Sequence, residues 1–137
     1  MNCRLQIADC RLAVPLAAAL ALCGCAAPER PLLEQFFGAS RLRDTTALQA
    51  VSTIVFEPRQ QGIVRTFEIV RVTPERLEGQ TPSKDVTVDA PVILPDGQTV
   101  RKTFVVTLQR AMGGSVHPWV VTGIADVGAT PVRPGGT

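Results

Sequence analysis

Hydrophobic and polar positions change their period along the chain, and each change predicts a different element. Residues 12–22 (LAVPLAAALAL) are apolar without interruption, a run of eleven. A membrane-spanning helix needs about 20 such residues, so this run is too short for one. Across residues 31–43 (PLLEQFFGASRLR), Leu32, Leu33, Phe36, Phe37 and Ser40 recur at helical spacing and predict one buried stripe. Pro31 suits the first turn of that helix. Asp44 and Thr45 then offer capping oxygens for a second helix through about Thr53, with Ala47, Leu48 and Val51 inward.

From residue 52 the period becomes two. Residues 54–57 predict a short strand closed by Pro58 and the polar turn Arg59-Gln60-Gln61-Gly62. Residues 63–72 predict another, with Ile63, Phe67 and Ile69 on one face and Val64, Val70 and Val72 on the other. Its charged members Arg65, Glu68 and Arg71 read as a solvated face or as cross-strand partners. Residues 73–83 are polar, contain two Pro and one Gly, and read as a loop or a frayed strand end. A hairpin follows. Val86, Val88, Ala90, Val92 and Leu94 alternate in residues 85–94, and Val100, Phe104, Val106 and Leu108 alternate in residues 98–110. Asp96-Gly97 between the runs is a strong hairpin signal. Pro91 suits an edge position or a bulge. Gly113-Gly114-Ser115 turns the chain into a last strand over residues 117–127. Helices first and then antiparallel strands in meander order predict an α+β fold: an N-terminal helix pair packed on a curled sheet of four to five strands.

Composition narrows the function. A chain of 137 residues fits one domain. Its 14 Lys+Arg against 12 Asp+Glu leave a net charge of +2 with no basic run, so nucleic acid is not an expected partner. The four cysteines, Cys3, Cys10, Cys23 and Cys25, all precede residue 26. They show no C-x-x-C spacing and the single His has no Cys beside it, so no metal site is expected. G-x-S-x-G, G-x-x-x-x-G-K and H-E-x-x-H are absent, and no cofactor is implied.

The N-terminal segment reads as an address. Arg4 and Arg11 stand against Asp9 ahead of the apolar run, the outline of a secretory signal. Leu22-Cys23-Gly24-Cys25 then resembles the bacterial lipoprotein signal, with Leu three before an acceptor Cys and a small residue just before it. Cys25 fits, preceded by Gly24; Cys23 fits less well, since bulky Leu22 precedes it. In lipoproteins the Cys thiol, as thiolate, takes a diacylglyceryl group and the residue becomes the new N-terminus. The resemblance implies a signal peptide over residues 1–24 and a lipid on Cys25. A short tether through residue 30 follows, reaching about 20 Å when fully extended, then a domain over residues 31–127 and a flexible tail over 128–137. The protein would be held in the cell envelope, facing the periplasm or the exterior. Ala26 stands where inner-membrane retention calls for Asp, which favours the outer membrane.

The second half carries a further resemblance. V-T-V-D-A-P-V, then D-G, then T-F-V-V-T-L, a Gly turn and W-V-V-T-G-I follow a helix pair opened at Asp44. Over residues 30–127 this resembles the ketosteroid-isomerase-like, or nuclear-transport-factor-like, cone in its small secreted-lipoprotein branch, where a Trp also begins the closing strand. The resemblance implies a curled sheet able to enclose a pocket against the helices, which Phe67, Phe104 and Trp119 would line unless they fill the core. Members of that family are enzymes, ligand binders or interaction modules, so the fold does not select a function. Its isomerases use a carboxylate base with a Tyr and a protonated Asp as oxyanion donors, and this chain has no Tyr. Its dehydratases use a His-Asp pair, for which His117 with Asp126 or Asp44 is the available version. The expectation is a non-catalytic lipoprotein binding an envelope partner or a small apolar ligand. The alternative is a cone-fold isomerase- or dehydratase-like enzyme acting on a small lipophilic substrate.

Overall fold

The computed structural model describes residues 27–132. Three helices, α1 (Glu29–Leu42), α2 (Thr45–Val51) and α3 (Pro58–Gln61), precede six strands. The strands are β1 (Ile63–Val64), β2 (Glu68–Val72), β3 (Arg76–Glu78), β4 (Thr81–Ile93), β5 (Thr99–Arg110) and β6 (Trp119–Pro131). All six form one open antiparallel sheet, so the α+β class stands and the strand count exceeds the expected four to five.

The extra strands arise because β1, β2 and β3 share one edge of β4. β3 pairs with residues 81–83, β2 with residues 86–89 and β1 with residues 92–93. The sheet is therefore four strands wide. The single strand expected over residues 63–72 is broken at residues 65–67, opposite Ala90 and Pro91. Pro91 has no N–H to give a ladder, and it sits in an interior strand where the facing edge is interrupted. Residues 73–83, read as a loop or a frayed strand end, supply β3 and the start of β4.

Three other expectations change. Residues 54–57 are not a strand: Ser52 Oγ both accepts from Ile54 N (2.9 Å) and donates to Ile54 O (2.7 Å), curling the chain so that Phe56 turns into the core. The final strand runs on to Pro131, because β5 offers pairing down to Val100↔Pro131, so residues 128–131 are not tail. Glu29 and Arg30 belong to α1 and not to a tether.

Helix α1 ends in a Schellman turn, with Arg43 N donating to Ser40 O (3.1 Å) and Asp44 N to Ala39 O (3.0 Å). Arg43 occupies the left-handed region there (φ 55°), a place that favours Gly and costs an L residue roughly 1–2 kcal/mol. Asp44 caps α2 by accepting from Ala47 N at 2.9 Å.

Strand alternation puts Val86, Val88, Ala90, Val92, Phe104, Val106, Leu108 and Val121 on the face covered by Leu32, Leu33, Phe36 and Phe37 of α1. Phe36, Phe37, Phe56, Phe67 and Phe104 form one aromatic cluster, with ring centroids from 5.2 to 6.4 Å apart. The opposite face is polar. Asp85 accepts from Arg76 (2.9 Å) and Thr107 (3.0 Å), and Asp89 accepts from Thr103 (2.7 Å). The hydrogen bonds that Arg76 donates to Asp85 first and Glu78 second raise the pKa of its guanidinium above the ordinary value.

Gly62 admits no side chain. Its φ is 91°, and a Cβ would lie 2.5 Å from Val92 Cγ1 and 2.9 Å from Ile93 O. Gly62→Ala is expected to cost about 2–4 kcal/mol through strain and overpacking, lowering the denaturant midpoint at unchanged m-value. A midpoint equal to the parent's would contradict this reading.

Candidate functional site

The Schellman turn at Arg43 joins α1 to α2, which lie against each other, and the Ser52 turn leads into residues 55–60. Between them lies a cavity of ≈ 440 Å³ bordered by Ser40, Arg43, Leu48, Val55, Phe56 and Arg59, with Glu57 at its edge. Leu48 and Phe56 are buried and form an apolar wall, while Val55 is 72% exposed at the mouth. Ser40 Oγ is buried and has no hydrogen-bond partner among the described residues. Buried hydroxyls are normally paired, so an unpaired one beside a cavity is a place for a ligand acceptor or donor. Arg43 Nη2 lies 3.7 Å from Glu57 Oε1. Arg59 makes no ion pair among the described residues. A lining of apolar side chains, a hydroxyl and two guanidinium groups suits a small amphipathic molecule with an acidic head.

The expected pocket residues lie elsewhere. Phe104 is 2% and Trp119 3% exposed, and both fill the core. Phe104 packs edge-on to Phe56 at 5.8 Å. Trp119 lies under the Lys84 ammonium (4.2 Å to the ring centroid) and the Arg110 guanidinium (4.9 Å). Phe67 borders a separate open groove of ≈ 350 Å³ with Arg30, Glu34 and Arg65, and Arg30 sits 5.4 Å over its ring. The three aromatics are therefore not gathered round one cavity, because the helix stripe fills the space over the sheet.

His117 lies in the loop of residues 111–118, its Nε2 2.7 Å from Gln35 Oε1, beside a cavity of ≈ 380 Å³ that Met112 and Val116 also border. Asp126 pairs with Lys102 (2.9 Å) and faces Phe104 across the ladder. Trp119 faces Arg110, so some 20 Å of strand separates Asp126 from the end where His117 sits. Asp44 is engaged in its cap. His117 has neither carboxylate as a hydrogen-bonding partner among the described residues. No group of three or more His, Cys, Asp and Glu among the described residues is placed to hold a metal ion. Cys25 lies outside the described residues.

A buried ion pair escaped the sequence reading: Lys84 Nζ bonds to Glu29 Oε1, with the two side chains 8% and 6% exposed. Ser40 had been placed in the apolar stripe and Arg59 in a polar turn. The visible signal was the helix end at Arg43, which lacks the usual Gly.

Compared with protein-family models, curated proteins and solved structures, the chain matches none.

Proposed function

We propose that this chain is a lipid-anchored cell-envelope lipoprotein, held in the membrane through Cys25. Its non-catalytic, cone-type domain binds a small amphipathic ligand or an envelope partner. The observation that carries the reading is Leu22-Cys23-Gly24-Cys25, which ends four residues before Glu29. At Glu29 the chain is already locked into the core through Lys84. The tether is thus no longer than about 14 Å from Cys25 to Glu29, and the domain sits against the bilayer. An open antiparallel sheet with helices on one face supports the cone reading, and the groove beyond Arg43 supports binding. For the isomerase- or dehydratase-like alternative, His117 borders a cavity but bonds to Gln35 and to neither Asp126 nor Asp44 among the described residues.

Intact-mass spectrometry of the protein extracted from bacterial membranes tests this. The expected species begins at Cys25 and carries the added mass of a diacylglyceryl group, with a small acid or a partner protein co-purifying. A chain retaining residues 1–24, or beginning at an unmodified Cys25, overturns the anchor. A groove that releases nothing and takes up no amphipathic acid overturns the binding role.

A further inference from the structure

We propose that the loop of residues 111–118 is a second membrane contact, inserting Met112 and Val116 into the interface of the bilayer that holds Cys25. The inference rests on the lipid-anchor reading and adds an orientation to it.

Four observations place this loop at the anchored end. Glu29, four residues beyond Cys25, bonds to Lys84. The Lys84 ammonium lies over Trp119, the first residue of β6. Arg110 and Trp119 are paired across the ladder, and Ala111 N donates to Pro118 O at 2.9 Å, so the loop springs directly from that point. His117 ties it back to α1 at Gln35. The chain leading to the anchor therefore leaves the fold beside this loop, and a tether of about 14 Å cannot carry that end far from the membrane.

The chemistry of the loop fits a lipid surface. Met112 is 90% and Val116 93% exposed, the most exposed large apolar side chains among the described residues. Residues 111–125 contain no Lys, Arg, Asp or Glu, so nothing charged need be dragged into the interface. Gly113, Gly114 and Ser115 between the two apolar residues add no bulk. Leu77, 72% exposed, is on the neighbouring β3, which joins the same end of β5 through Gln109 Nε2 donating to Glu78 Oε2 (3.3 Å). Met112 and Val116 stand exposed together in one uncharged loop, which suits insertion into a lipid interface. Here the occupant is the bilayer that the tether brings within reach.

The mature chain makes the test direct. Beyond Cys25 it has no other thiol, so Val116→Cys introduces a unique one. The lipoprotein is labelled there with an environment-sensitive nitrobenzoxadiazole dye and reconstituted into phosphatidylethanolamine–phosphatidylglycerol vesicles. Gln98→Cys, in the exposed turn at the far end of the β4–β5 hairpin, is the control. The dye at 116 is expected to shift to the blue. It is also expected to be quenched by a spin-labelled lipid at the depth of roughly 5–10 Å that interfacial elements reach. The dye at 98 should do neither. A dye at 116 that matches the control in acylated, vesicle-bound protein overturns the loop contact and leaves the anchor intact. A blue shift without lipid quenching means that protein covers the loop, which also overturns it. Protein that never acquires acyl chains and never joins the vesicles overturns the anchor reading and this inference together.

Discussion

Lys84→Met is expected to lower the stability of the domain by about 3–5 kcal/mol, the usual cost of removing one partner from a buried ion pair. The substitution leaves the Glu29 carboxylate 6% exposed beside a methionine and strips the Trp119 ring of its closest cation. Arg110 remains over that ring at 4.9 Å but forms no ion pair with Glu29. A loss of this size is a large part of the 5–15 kcal/mol that holds a typical domain together. It corresponds to a melting temperature lower by more than about 10 °C. The double variant Glu29→Leu/Lys84→Met is expected to recover most of it, since replacing both charges with apolar groups removes the desolvation that the pair had to overcome. Chemical denaturation of the three proteins gives the comparison. If the double variant is as unstable as the single one, the pair is not the origin of the effect. A single variant that loses less than about 1 kcal/mol would return Glu29 to the solvated surface.

Cys25→Ser is expected to move the protein from the membrane fraction to the soluble one. Each buried methylene is worth about 0.8 kcal/mol. One acyl chain holds only marginally and stable anchoring takes two, so losing the acceptor sulfur would remove the proposed anchor. Residues 12–22 are about half the length a span requires, and no helix among the described residues is long and apolar enough to cross a membrane. Two loop side chains at 112 and 116 give weak, reversible contact at best. Cys23→Ser should leave fractionation unchanged, since bulky Leu22 precedes Cys23 where the signal calls for a small residue. Fractionation with an alkaline wash separates the outcomes. Cys25→Ser protein that stays with the membranes, or Cys23→Ser protein that leaves them, would refute the assignment.

The elements that came through from sequence to structure are those decided by neighbours a few residues apart. The stripe Leu32, Leu33, Phe36 and Phe37 is helical, Asp44 caps the next helix, and Asp96-Gly97 joins two long strands whose alternation sets their buried faces. Each depends on a 3.6- or 2-residue period, or on one side chain reaching its own turn. Other features were illegible for a shared reason. β1, β2 and β3 look like one strand and a loop, because whether a segment pairs is decided by the edge of β4, at least 14 residues away in the chain for every pair of β2 and β1. The extension of β6 to Pro131 depends likewise on the length of β5.

The site divides along the same line. Period and turn chemistry were enough to determine the α+β class, the helix pair and the hairpin, because each is written in contiguous residues. Only the tertiary structure decided that Phe104 and Trp119 go to the core, and that Glu29 meets Lys84 across 55 residues. It also decided that Ser40 keeps an unpaired hydroxyl beside Arg43 and Arg59. Burial and pairing are properties of the space left when distant segments pack, and no local pattern encodes how that space is shared.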